Sequence, residues 1–222
     1  MVLDVLPNRK KESLVHWLKT PPAGIDLSAL AFVATDLWTH YRAGVHAIFP
    51  HVAVVADRFH VMQNLHQVIH KVRRAAQQAA EYDTERKQLK GLRFLLLKNE
   101  QNLTQQEKQR LQELAVSHPK LYQLWQLRQQ FHQWYEVHTI PEFARITLFR
   151  WCEQARHLGL KALNRFCDTM TAWEDEVVNF FEHRITSGFV EGMNAKIRVL
   201  KRIAFGIPNP HHFRLRILAF CG

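Results

Sequence analysis

Cysteine is scarce: the chain has three, Cys152, Cys167 and Cys221, an odd number with no Cys-x-x-Cys spacing. That excludes a disulfide framework and a thiolate zinc site, and suits a reducing compartment. Long apolar runs are also missing, since no window approaches the roughly 18–20 residues of a membrane helix. The first residues, Met-Val-Leu-Asp-Val-Leu-Pro-Asn-Arg-Lys-Lys, are broken by charge and have no apolar leader core. The expectation is a cytoplasmic protein without a membrane partner. Glycine and proline, eight of each in 222 residues, are too few for collagen-like or low-complexity chains, and 47% hydrophobic residues exclude disorder.

Acid is what the end of the chain lacks. Lys and Arg total 30 against 20 Asp and Glu, and residues 184–222 hold seven of those cations but a single acid, Glu191. Clustered cations bind polyanions by releasing counterions, so the charge points to nucleic acid.

The first 60 residues read as α/β. Ala29 to Thr35 is a nearly continuous apolar run ending at Asp36, and Val52 to Ala56 is another ending at Asp57. Such runs suit strands buried on both faces of a parallel sheet. Between them Leu37, Tyr41, Val45 and Ile48 fall at helical spacing before Pro50. Val2 to Leu6 reads as a further strand, followed by a helix over Glu12 to Leu18 and the Pro21-Pro22 break. Residues 61–183 change character, with two glycines and two prolines, Pro119 and Pro141, each placed where a helix can start. They predict helical hairpins, in which Trp125, Trp134, Trp151 and Trp173 are core anchors. Residues 184–222 read as a basic helix with Ile185, Phe189, Met193, Ile197 and Leu200 on one side and Glu191, Asn194, Arg198 and Arg202 on the other. A last helix follows from His211 to Phe220.

Four positions could carry chemistry. A right-handed crossover makes the two strands parallel, so Asp36 and Asp57 both sit at carboxyl ends on one rim, where open α/β folds bind ligands. Taken singly each could instead cap the following helix; together they favour a metal. Glu191 lacks the Ser or Thr three residues earlier that a capping box needs, and stands either as a functional acid or as a solvated partner of nearby arginines. Asn194, Lys196, Arg198, Lys201 and Arg202 could follow a phosphate backbone. His60 could orient a carboxylate or cap its helix, whereas His66 and His70 have no third ligand and are structural.

Thr35-Asp-Leu-Trp-Thr-His-Tyr, Phe49-Pro, Val55-Ala-Asp-Arg-Phe-His-Val, Ser187-Gly-Phe-Val-Glu-Gly-Met-Asn-Ala-Lys-Ile-Arg and Lys201-Arg-Ile-Ala-Phe-Gly, in that order, resemble the DDE domain of bacterial insertion-sequence transposases of the ISL-three group. The resemblance spans nearly the whole chain. It implies a partial RNase H-like core over residues 1–60, an all-helical insertion over 61–183 and a return to the core over 184–222, helix-rich overall. It also implies carboxylates that hold two Mg²⁺ (or Mn²⁺) ions for in-line attack on a DNA phosphodiester. Asp36 then matches the second acid and Glu191 the third, and Asp57 and His60 match the D-x-x-H element, with the roles of Asp36 and Asp57 interchangeable at this point. The partners implied are transposon-end and target DNA and further copies of the chain, in a nucleoid-associated setting. Asp4 does not match the first acid, which the family carries further upstream. The expectation is an N-terminally truncated transposase, inactive on its own, with exposed sheet edges; the alternative is a non-catalytic DNA-binding or dimerising fragment that inhibits the full-length enzyme.

Overall fold

The computed structural model describes residues 2–184, 188–204, 207 and 209–221. The chain divides into two compact units, one formed by Met1–Arg58 with Arg184–Gly222 and the other by Phe59–His183.

In the first unit, α1 (Lys11–Lys19) and α2 (Thr39–Ile48) accompany two short strands, β1 (Phe32–Thr35) and β2 (Ala53–Ala56). The strands pair in parallel with Phe32 beside Ala53 and Thr35 beside Ala56. Both form at the C-terminal ends of the apolar runs that announced them. Leu18, Val45, Val52 and Val54 make the buried core, with Leu14, Trp17, Val33 and Ile48 packed around it. Gly44 lets α1 and α2 approach closely, because a Cβ there would meet Leu14 Cδ2 at 3.0 Å.

The strand expected at Val2–Leu6 does not form. The apolar residues there serve another purpose: Val2 and Val5 pack against Leu200, Ile217 and Cys221 of α10 (Gly188–Ile203) and α11 (Pro210–Cys221). The Val2 N–H donates to the Cys221 carbonyl at 2.8 Å. The segment is pinned by Asp4, whose carboxylate accepts from Trp17 Nε1 at 2.9 Å and from Arg214 Nε at 2.6 Å. The Arg214 hydrogen bond is the main reason the Asp4 carboxyl stays below its ordinary range, against the opposing pull of burial. Among the described residues the sheet therefore has two strands, each with one edge unpaired by another strand.

The second unit is helical: α3 (Arg58–Ala79), α4 (Asp83–Gly91), α5 (Gln105–Ser117), α6 (Pro119–Val137), α7 (Pro141–Arg156), α8 (Lys161–Ala172) and α9 (Glu174–His183). Pro119 and Pro141 occupy the first turns of α6 and α7, as their spacing required. The start of α5 is a capping box, Thr104 Oγ1 accepting from the Glu107 N–H and Glu107 Oε2 from the Thr104 N–H. Phe131 lies fully buried among Trp134, Tyr135, Trp151 and Phe166, with ring centroids 4.7–5.7 Å away. Trp125, Trp134, Trp151 and Trp173 are all buried. Trp151 Nε1 donates to the Leu127 carbonyl at 3.0 Å and Trp134 Nε1 to the Ala144 carbonyl at 3.1 Å, which meets the polar demand of two of these indoles. No described helix is long and apolar enough to cross a membrane.

Candidate functional site

The parallel pairing of β1 and β2 extends one step beyond the strands, where the Asp57 N–H donates to the Thr35 carbonyl at 2.9 Å. That register sets Asp36 beside Asp57 at the carboxyl ends of neighbouring strands, about 4.8 Å apart by the usual strand spacing. Asp57 is 2% exposed. Asp36 does not cap α2, which begins without a side-chain cap, so its carboxylate is available to other groups.

One of those groups is Arg9, whose Nη2 donates to Asp36 Oδ2 at 2.7 Å while its guanidinium lies 4.3 Å from the centre of the Trp38 indole. The indole thus holds the cation over the carboxylate. Asp36 Oδ1, Thr35 Oγ1 and Trp38 Nε1 are all buried without a hydrogen-bond partner. Buried polar atoms are nearly always satisfied, and three orphans at the end of one strand mark a place built to meet another polar or charged species. A buried carboxylate oxygen without a donor is what a hard cation such as Mg²⁺ requires, so Asp36 and its neighbour fit part of a divalent-cation site. Among the described residues there is no group of three or more His, Cys, Asp or Glu that could hold a metal. Glu191 belongs to α10, but its side chain lies outside the described residues, as do Ile185 and Phe189 of the apolar stripe.

The rest of α10 follows the sequence reading. Leu200 is buried and Met193 and Ile197 are packed with it against Ile217, while Asn194, Lys196, Arg198, Lys201 and Arg202 are exposed. One face holds the helix to the fold and a cationic face meets solvent. His60 lies on the first turn of α3, its Nδ1 3.4 Å from Gln63 Oε1. Among the described residues His66 belongs to no metal-holding group; half-buried in the helical unit, its Nε2 faces Arg128 Nε at 3.4 Å. Arg9 escaped sequence reasoning altogether. In Asn8-Arg-Lys-Lys it is one cation of a charged run, and only the fold brings it 27 positions along the chain to Asp36.

The described geometry is thus a parallel strand pair with two acids on one rim, and a separate helix with a cationic face. The ISL-three (ISL3) family of DDE transposases, described simply as transposase, matches residues 1–217, and the chain belongs to that family. The transposase for insertion sequence element IS1001 of Bordetella parapertussis is 32% identical over 221 residues, which cover 98% of this chain and 54% of that protein. The transposase for insertion sequence element IS1557 of Mycobacterium tuberculosis is 28% identical over 124 residues, 56% of this chain and 28% of the relative. The chain thus spans about half the length of the first of these relatives. No solved structure matches it.

Proposed function

We propose that the chain is part of the strand-transfer domain of an insertion-sequence transposase, in which Asp36 and Glu191 hold a divalent cation with Asp57 beside them and the α10 cations follow the DNA backbone. The observation that carries this is the pair of neighbouring rim acids, together with the buried Asp36 Oδ1 that no donor meets. When bound, Mg²⁺ or Mn²⁺ supplies activation of water or a 3′-hydroxyl for attack on a phosphodiester. Asp36 and Glu191 would hold it, Trp38 and Arg9 would bound the site, and Asn194, Lys196, Arg198, Lys201 and Arg202 would set the register of the DNA. The division of the chain near residues 58 and 184 supports a core whose two pieces flank a helical insertion at 61–183.

With Asp36 and Glu191 matching only the second and third acids of the family's set, the 222-residue chain by itself is expected to lack Mg²⁺-dependent nicking of transposon-end DNA. Supplying the remainder of a full-length relative should restore it. Robust cleavage by the 222 residues alone, abolished by Glu191→Gln, would overturn the inactivity.

Arg9 gives a second test of the same site. A guanidinium 2.7 Å from Asp36 Oδ2 competes with any cation for that oxygen. Arg9→Ala should therefore tighten Mn²⁺ binding severalfold by electron paramagnetic resonance titration, and Asp36→Asn should remove the gain. Equal Mn²⁺ affinity in wild type and Arg9→Ala would show that Asp36 is not a ligand.

The ion pair at Asp36 and the exposed cations of α10 also favour a second reading, in which the chain binds DNA or pairs with a full-length enzyme without catalysis. That reading expects salt-sensitive DNA binding that maps to residues 184–222 and is indifferent to Asp36→Asn.

A further inference from the structure

The helical unit carries a second concentration of positive charge that the sequence motifs do not include. The end of α4 is tied to α3 where Arg73 Nη1 donates to the Leu89 carbonyl at 3.1 Å. That contact brings the neighbourhood of Arg73, residues 70–77, to the end of the second helix, residues 87–94. Across those two stretches the chain has six Lys and Arg and no Asp or Glu: Lys71, Arg73, Arg74, Lys87, Lys90 and Arg93. The hairpin's acids, Glu81, Asp83 and Glu85, are confined to the turn at its other end.

Arg73 is 6% exposed. Its Nη1 meets Gln77 Oε1 and the last-turn carbonyl of α4, which suits a cation at a helix C-terminus, yet its Nε is buried without an acceptor. Burial first, then the charges of Arg93 and Arg74, lower its affinity for the proton, and burial followed by Arg93 and Arg73 does the same to His70. These side chains are therefore close enough to repel one another, and none of them has a carboxylate partner among the described residues. Elsewhere in the same unit Arg86, Arg145 and Arg156 each pair with acids. Beside the cluster stands Phe94, 71% exposed, with the Arg93 guanidinium 5.3 Å from its ring centre. Repelling cations without counter-charges, next to an open aromatic ring, are the two parts of a nucleic-acid strand site: phosphates neutralise the first and a base stacks on the second.

We infer that the α3–α4 hairpin binds a nucleic-acid strand, its backbone on Arg74, Lys90 and Arg93 and an unpaired base on Phe94. The inference rests on the reading that the chain acts on DNA, but on a surface separate in sequence from residues 184–222. A single-stranded or frayed DNA suits it better than closed duplex, because Phe94 needs an exposed base face.

The test is fluorescence anisotropy of the full chain with single-stranded and duplex oligonucleotides across a salt series. Arg74→Gln/Arg93→Gln should weaken single-strand binding about tenfold and reduce the slope of log K against log salt by about 1.4, the release expected for two phosphates. Phe94→Ala should weaken single strands about tenfold with the salt slope unchanged, and leave duplex binding almost untouched. Melting temperature serves as the folding control; if the double variant melts early, Arg74→Gln alone and Phe94→Ala carry the test. Wild-type affinity and slope in these variants, with loss in Arg198→Gln/Lys201→Gln/Arg202→Gln, would overturn the hairpin site and leave the DNA reading standing. Poly-glutamate binding as tight as oligonucleotide, unaffected by Phe94→Ala, would reduce the patch to a general polyanion surface and overturn it too. Absence of salt-sensitive DNA binding by the wild-type chain would overturn both.

Discussion

Phe131→Ala should lower the stability of the helical unit by about 4 kcal/mol, a large part of what a domain of this size has to lose. The ring is fully buried and meets Trp134, Tyr135, Trp151 and Phe166 at centroid distances of 4.7–5.7 Å. Truncation removes the transfer free energy of the phenyl group and leaves a hole. Its walls are other rings, themselves held by hydrogen bonds such as Trp151 Nε1 to the Leu127 carbonyl, so they cannot close around it. Urea unfolding followed by tryptophan fluorescence reports this region, because four of the six tryptophans belong to the same unit. Phe149, 63% exposed on α7, is the internal comparison, and Phe149→Ala should cost almost nothing. A loss below about 1 kcal/mol for Phe131→Ala would mean that the aromatic cluster is not the centre of the unit.

What the sequence made legible follows from how local each signal is. Apolar runs ended by Asp36 and Asp57 need only their neighbours to form strands, and β1 and β2 formed there. Pro119 and Pro141 act through the geometry of a single turn and open α6 and α7. Val2 to Leu6 went astray because a short apolar stretch fits a strand or a segment lying on helices equally well, and Asp4 reaching Arg214, 210 positions away, decides between them. Arg9 was invisible for the same reason. The terminal cations were readable as a charge excess, whereas Arg74 and Arg93 are separated in sequence by acids that the hairpin leaves at its turn. Family membership was legible because it rests on an ordered set of motifs along nearly the whole chain rather than on any one contact.

Acidification should destabilise the helical unit through a half-buried histidine. Arg128 is 4% exposed and is held by the Lys98 carbonyl, Asn99 Oδ1 and Gln129 Oε1, neutral acceptors without a carboxylate. Its Nε points at His66 Nε2, 3.4 Å away, so that nitrogen must stay unprotonated to accept. Burial, then Arg128, His70 and His132, lower the His66 imidazole from 6.5 to about 4. The unfolded chain therefore binds a proton between those values that the folded chain refuses. Stability is fully present above pH 6.5 and is lost as the pH falls from there toward 4, below which this group has no further effect. At pH 5 the loss is about 1–2 kcal/mol, allowing for solvent that reaches the half-buried ring. His70 and His138, also lowered chiefly by burial, add to the slope in the same direction. Asp4 and Glu107, held low by hydrogen bonds from Arg214 and Lys98, lose their contribution only as the pH falls from their ordinary values, 3.8 and 4.5, downward, at the acid end of the histidine window and below it. His66→Gln keeps an oxygen acceptor for Arg128 while removing the titration, so it should flatten stability between pH 7 and 5 without unfolding the protein at neutral pH. An unchanged slope in that variant would place the acid sensitivity in other groups.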